Sequence, residues 1–181
     1  FTDVFSNDVG ETPAIVEPMT LEVDPKKWKD PKNRTPPRPQ SRFAEEEIRR
    51  QVHDLLARGE IEFSFSTEYS QVLMFKKKPL DPALRFCLDF RRLNDATEVV
   101  DTWPIPNIKQ MIERVGRRKP KYFGNMDLTA GYHQFSLAKN ARIFSAFICF
   151  LGIFQWCRVP MGLKGAGSHF QRQMATVVLV G

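Results

Sequence analysis

Between Ser41 and Ser66 the hydrophobic period of the chain changes, and this change constrains the fold more than any other feature. Ile48, Val52, Leu55 and Leu56 recur at helical spacing. Glu45, Glu46 and Glu47 precede them, where negative charge suits the positive end of a helix. Ser41 stands where a cap is needed, Arg58 falls in the last turn and Gly59 supplies the stop. From Glu60 the spacing drops to two. Ile61, Phe63 and Phe65 alternate with Glu62, Ser64 and Ser66, as in a strand with one wet face. A helix followed by a run of strands predicts an α+β body.

Further strands are predicted over Val72–Phe75, Leu84–Phe90, Phe135–Leu137, Ile143–Phe150 and Phe154–Val159, with Leu151-Gly152-Ile153 as the turn before the last. Lys76 to Pro82 has the composition of a hairpin tip, and Asp89 to Asp95 that of a turn closing the third strand. Asn107 is placed to cap a short helix carrying Ile108, Met111, Ile112 and Val115 on one face, with Gly116 as its stop. Trp103-Pro104-Ile105-Pro106 must be extended. A last helix carries Phe170, Met174 and Val177 behind the Gly-rich loop from Pro160 to Gly167.

Residues 1–40 differ in kind. They hold seven of the thirteen prolines, interspersed with Lys26, Lys27, Lys29, Lys32, Arg34 and Arg38. Pro36-Pro37-Arg38-Pro39 favours extended backbone, so this stretch reads as a basic connector, draped on a domain or leading into it. The remainder, with thirteen of the fifteen Phe in a chain that is 42% hydrophobic, can build a core. A net charge of +6 and a pI near 9.4 point to polyanionic partners, nucleic acid first, although a solvated basic surface is the plainer reading. Cys87, Cys149 and Cys157 form no Cys-x-x-Cys pair, and His53, His133 and His169 have no metal-ligand spacing, so buried thiols and structural histidines are expected. No apolar run reaches membrane-spanning length, and no membrane partner is expected.

The stretch from Lys121 to Gln134 carries the chemistry. A short apolar run, read as a strand, reaches one carboxylate, Asp127, before Thr129, Ala130 and Gly131 turn the chain towards Tyr132 and Gln134. An Asp after a strand is ordinarily a turn residue or a helix cap. Lys76, Lys77 and Lys78 with Arg85 on the hairpin, and Arg117, Arg118, Lys119 and Lys121 ahead of Asp127, read either as solvated faces or as phosphate contacts.

Five blocks in order resemble reverse transcriptases of gypsy-like long-terminal-repeat retrotransposons. They are Arg85 to Asn94, Trp103 to Pro106, Met126 to Gln134, Val159 to Lys164, and Phe170-Gln171. The resemblance covers about residues 41–177. It implies the fingers and the N-terminal part of the palm of a right-hand polymerase. Residues 1–40 would be a connector within the Pol polyprotein, 41–100 the first part of the fingers, 101–134 the first part of the palm, 135–160 the second part of the fingers and 161–181 a palm helix. The activity implied is RNA-directed DNA synthesis on an RNA or DNA template with primer, using deoxynucleoside triphosphates and two Mg²⁺ (or Mn²⁺) ions.

By the same resemblance Asp127 would be the catalytic, metal-bridging carboxylate, with Leu128 beside it at the metal. Lys77 or Lys78 and Arg85 would neutralise the triphosphate, Ala130 and Gly131 would offer backbone N–H groups to it, and Tyr132 would stack under the sugar and exclude a 2′-hydroxyl. Gly162 and Lys164 would lie along the template groove. The resemblance also implies a cytoplasmic setting, in the virus-like particle of the parent element. The sequence departs from the pattern at Ala166-Gly167-Ser168, where many relatives carry a proline. The Tyr-x-Asp-Asp block that supplies two further carboxylates does not occur in the 181 residues, so the chain alone is expected to be inactive. Two other readings stay open from the residues: a non-catalytic nucleic-acid-binding module or domesticated relic, and an α+β domain with solvated charges.

Overall fold

The computed structural model of the protein describes residues 10, 12–78, 81–98, 102–104 and 106–179, apart from the side chains of residues 77, 78, 81 and 82. Its proline-rich beginning is built from two short turns, each opened by proline and capped by aspartate. Asp24 accepts a hydrogen bond from the Lys26 N–H at 2.8 Å and Asp30 one from the Lys32 N–H at 2.8 Å. They start helix α1 (Pro25–Trp28) and a 3-10 turn over Pro31–Arg34. Proline suits a first helical position because its missing N–H would have had no partner there. Met19, Leu21 and Trp28 are buried in the main core, so this stretch packs onto the body.

Helix α2 (Arg42–Ala57) follows, with the Ser41 hydroxyl accepting from the Ala44 N–H at 3.3 Å. Ile48, Val52 and Leu55 are buried along the predicted stripe. Gly59, at φ +64°, ends the helix in the left-handed region that glycine enters without penalty. Strands β1 (Ile61–Phe63), β2 (Ser70–Lys78) and β3 (Asp81–Leu88) come next. The β2–β3 hairpin is longer than the sequence suggests, and Pro79 and Leu80 in its tip lie outside the described residues. Asp89 to Asp95 is not merely a turn: helix α3 (Arg91–Ala96) occupies it and buries Leu93 and Ala96.

Helix α4 (Ile108–Arg117) has the expected cap, Asn107 Oδ1 accepting from the Lys109 N–H at 3.0 Å and the Gln110 N–H at 3.3 Å. It runs through Gly116, and its apolar face of Ile108, Met111, Ile112 and Val115 is exposed. Ile105, in the extended segment before it, lies outside the described residues. A 3-10 turn over Gly131–Gln134 and helix α5 (Lys139–Arg142) lead to strands β4 (Phe147–Cys149) and β5 (Gly152–Trp156). Helix α6 (Ala166–Gln173) then continues into a π turn over Met174–Val178.

The five strands form one sheet in the order β1-β5-β4-β2-β3. Only the β2–β4 pair is parallel. Phe147 sits at the centre of the core, its ring 5.8 Å from Phe86, 5.7 Å from Phe154 and 6.3 Å from Trp156. Cys149 is buried and Cys157 half-buried, and burial pushes the Cys157 thiol up to about 11.

Several strand expectations are corrected. In β1 only Ile61 is buried; Phe63 and Phe65 are exposed while Ser66 is buried. The reason lies in the serines. The Ser64 N–H still donates to the Ile153 carbonyl at 3.0 Å and its Oγ to Gln155 Oε1 at 2.7 Å, but past it Ser66 Oγ turns back to the Glu68 carbonyl at 2.7 Å and the chain leaves the pleat. Phe135 to Leu137 makes only isolated bridges, Ser136 with Arg158 and Leu137 with Met19. The run from Ile143 begins with a 3-10 turn, closed by Ser145 Oγ donating to the Arg142 carbonyl at 2.6 Å, and becomes strand only at Phe147. The tip before β5 is at Phe150–Leu151. In the last helix the buried positions are Ala166, His169 and Gln173; the π turn rotates the face, and Val177 is exposed.

Candidate nucleotide and nucleic-acid site

The apolar run before Asp127 is not a strand. Tyr122 is 91% and Met126 89% exposed, and residues 122–128 pair with no strand among the described residues. An isolated extended segment has no ladder to satisfy its N–H and C=O groups, which face water here instead. Asp127 is exposed on this segment and has no hydrogen-bond or ion-pair partner among the described residues.

After it the backbone is tightly specified. Ala130 adopts φ 44° and ψ 49°, the left-handed region unusual for a residue with a Cβ. The Gln134 amide donates to the Thr129 carbonyl at 2.9 Å, and the His133 N–H to the Ala130 carbonyl at 2.8 Å. A Cβ at Gly131 would lie 3.3 Å from Phe170 Cε2 and 3.4 Å from Leu128 Cβ, so only glycine fits without a shift. Tyr132 lays its ring against Phe170 at 5.3 Å between centroids, and a Cβ at Gly167 would come 3.9 Å from the Tyr132 hydroxyl. Helix α6 is therefore the floor on which this turn and its tyrosine rest. Phe135, stacked edge-on against the same Phe170 at 5.2 Å, fixes that floor from below.

Behind the turn lies a buried carboxylate. Glu60, 1% exposed, accepts from Arg58 Nε at 2.6 Å and has His133 Nδ1 2.7 Å from its other oxygen. The His133 ring packs on Trp156 at 5.0 Å, and Arg158 donates to the His133 carbonyl at 3.1 Å.

The first and fourth blocks form a separate bracket. Asn94 Nδ2 donates to the Gly162 carbonyl at 2.8 Å, and Asn94 Oδ1 accepts from the Lys164 N–H at 2.8 Å. Gly162 has φ +92°, and Lys164 Nζ donates to the Thr97 carbonyl at 2.7 Å. The structure thus joins Gly162 and Lys164 to helix α3, and Gly131 and Tyr132 to α6. Arg85 is exposed on β3 opposite Phe75, at the edge of the sheet farthest from β1. Lys77 and Lys78 lie at the end of β2, and their side chains are outside the described residues.

Asp89 is engaged in the fold. It takes Arg91 Nη2 at 2.7 Å and Arg38 Nη2 at 3.3 Å, and the Arg91 hydrogen bond in particular holds its carboxyl below the usual range. Among the described residues no group of three or more His, Cys, Asp or Glu side chains is placed to hold a metal ion. Asp127 and the Leu128 carbonyl offer hard oxygens of the right kind for Mg²⁺, but one carboxylate does not make a two-ion site. Three contributors escape a reading of the sequence: Phe170 as floor, Asn94 as bracket and Glu60 as anchor. The first two lie inside the recognised blocks, which was their only signal.

A five-stranded mixed sheet flanked by helices, with a carboxylate and a tight turn between β3 and β4, is the α+β fold of the fingers and first part of the palm of a right-hand polymerase. The native Prototype Foamy Virus Protease-Reverse Transcriptase has this fold, with a TM-score of 0.70 at 20% identity over 97% of this chain and 23% of that one. So does the foamy viral protease-reverse transcriptase solved with RNA/DNA hybrid, at a TM-score of 0.65 and 18% identity over 94% of this chain and 22% of that one.

Residues 75–179 match the family described as Reverse transcriptase (RNA-dependent DNA polymerase), and the chain belongs to that family, in its gypsy-like retrotransposon branch. It is 36% identical over 135 residues to the Retrovirus-related Pol polyprotein from transposon gypsy of Drosophila melanogaster, covering 72% of this chain and 13% of the relative. Against the corresponding polyprotein from transposon 412 of the same organism it is 34% identical over 133 residues, 71% of this chain and 10% of the relative. The chain therefore spans a small part of the relatives it matches.

Proposed function

We propose that this chain supplies the fingers and the first palm segment of an RNA-directed DNA polymerase that extends a primer 3′-hydroxyl on an RNA or DNA template with deoxynucleoside triphosphates. The observation that carries the reading is the placement of Asp127. It is an exposed carboxylate without a partner among the described residues, five positions ahead of a tyrosine clamped on α6. Elsewhere in the described fold, acidic groups such as Glu60, Glu68 and Asp89 are engaged by arginines. A carboxylate left open beside a Gly turn suits a hard divalent cation, Mg²⁺ or Mn²⁺, whose chemistry is to neutralise charge on transferring phosphate.

The other residues take binding roles. Tyr132, half-buried with one face on Phe170, supports a deoxyribose and excludes a 2′-hydroxyl. Ala130 and Gly131 bring backbone close to the phosphates. Arg85, with Lys77 or Lys78, approaches the triphosphate from the fingers as planar fork and point charge. Gly162 and Lys164 border the template groove, Lys164 being anchored on Thr97. The remaining carboxylates of the ion site belong to the rest of the Pol polyprotein, so the 181 residues alone are inactive.

Primer extension with Mg²⁺ tests this. The chain alone is expected to give no product, and a polymerase carrying it together with a Tyr-x-Asp-Asp block to give extension. There, Asp127→Asn abolishes synthesis by at least about a thousandfold while template–primer affinity changes less than about threefold. Extension surviving Asp127→Asn would end the assignment.

A further inference from the structure

We infer that Glu60 and His133 are positioning residues for the nucleotide site: the buried carboxylate grips the histidine next to Tyr132 and thereby fixes the turn that presents the sugar gate. The inference rests on the reading of Tyr132 given above.

The geometry is that of an anchor spanning 73 positions of sequence. Glu60 lies where α2 passes into β1, and it is held on both sides. Its backbone carbonyl accepts from the Cys157 N–H at 2.8 Å, and its carboxylate accepts from Arg58. The base of the anchor is thus part of the sheet. Its tip is His133, in the middle of the 3-10 turn over Gly131–Gln134. An ionised carboxylate can only accept hydrogen bonds, so His133 Nδ1 carries the hydrogen in this contact. The ring is further confined by Trp156 at 5.0 Å, and the carbonyl of the same residue by Arg158 at 3.1 Å.

Such a grip matters because the turn it holds is unfavourable by itself. Ala130 is left-handed with a Cβ, a state that persists only where its surroundings impose it. Tyr132, the residue before His133, has its carbonyl held by the Phe135 N–H at 3.1 Å, while its side chain rests on the Phe170 ring with Gly167 beside the hydroxyl. With His133 released, the turn can relax towards ordinary dihedrals, and the tyrosine ring moves off Phe170. A carboxylate at 1% exposure is costly to bury unless it is paired and hydrogen-bonded, as Arg58 and His133 pair Glu60 here, so removing either side of the His133 contact leaves a buried group short of a partner.

Two measurements test the pair. In the 181-residue chain, ¹⁵N–¹H correlation spectra of the histidine rings should show His133 with hydrogen on Nδ1, and Glu60→Gln should shift that population towards Nε2–H. In a polymerase carrying the chain, His133→Phe, which keeps a ring against Trp156 but removes the donor, should lower discrimination between deoxynucleotides and ribonucleotides about tenfold. The loss should appear mainly in KM for the deoxynucleotide. Glu60→Gln should move discrimination the same way, and neither change should add to that of Tyr132→Ala. Circular dichroism and melting identify a variant that fails to fold, in which case the other variant decides. If Tyr132→Ala relaxes discrimination while folded His133→Phe and Glu60→Gln leave it unchanged, the positioning role is overturned and the gate stands. If Tyr132→Ala itself has no effect, the gate falls and the positioning role with it. A ring spectrum unaltered by Glu60→Gln likewise overturns the anchor.

Discussion

Burial pushes the Glu60 carboxyl up and is the largest single influence on it, yet the hydrogen bonds and charges of His133 and Arg58 together hold it below the ordinary glutamate value of 4.5. The consequence for stability has a definite sign. A carboxyl that binds its proton less readily folded than unfolded makes the unfolded state the better proton acceptor. Its contribution is complete above the unfolded value and is lost as pH falls through the folded one. Glu62, Glu68 and Asp89 are shifted the same way, by Gln155, by Thr67 with Arg34, and by Arg91 respectively, the burial of Glu68 opposing its shift. The protein is therefore expected to lose stability below pH 4.5. Glu60→Gln should cost about 2 kcal/mol near neutral pH and flatten the acid limb of the melting temperature against pH. Parallel pH curves for the variant and the parent would show that Glu60 carries none of the acid sensitivity.

Among the elements, what the sequence makes legible is what is encoded locally. Helix α2 announces itself through a serine cap, an acidic first turn, an apolar stripe and a glycine stop, all within about twenty residues, and every one of those features is present in the fold. Removing the cap should matter: Ser41→Ala is expected to lower stability by about 1 kcal/mol, read from chemical denaturation, with Ser41→Asp restoring most of it. A loss below about 0.3 kcal/mol would mean that water replaces the hydroxyl at this end. Short apolar runs are a different matter, because a strand needs a partner that the run does not name. Tyr122 to Met126 has the composition of a strand and no ladder, whereas Phe147 to Cys149 has two neighbours. Asp89 to Asp95 reads as a turn because its residues are polar, but burial of Leu93 and Ala96 makes α3 a helix. The candidate site divides the same way. Asp127 and Tyr132 are visible as one block; the Phe170 ring beneath Tyr132 and the Glu60 anchor behind His133 depend on contacts across the fold that no local pattern encodes.

At the scale of the whole molecule the apolar residues divide into a packed body and uncovered faces. Ile48, Leu93, Phe147 and Phe154 belong to the body. Ile108, Met111, Ile112 and Val115 on α4, then Tyr122, Phe123 and Met126, and finally Val177, Val178 and Leu179 are exposed. Apolar surface of this extent favours association, because water removed from two such faces is released at little entropic cost to already ordered side chains. The isolated 181-residue chain is expected to self-associate at micromolar concentration in sedimentation velocity, and to bind a hydrophobic dye while folded. The α4 face offers the clearest separation of causes. Ile112 is 67% exposed, so Ile112→Glu should shift the chain towards monomer while changing stability by no more than about 0.5 kcal/mol. Ile48, fully buried on α2, is the control: Ile48→Ala should cost about 2–5 kcal/mol and do nothing to relieve association. If Ile112→Glu instead destabilised the fold as a core substitution does, α4 would be packed against the body in solution, and the uncovered face would have to be sought on the π turn from Met174 to Val178.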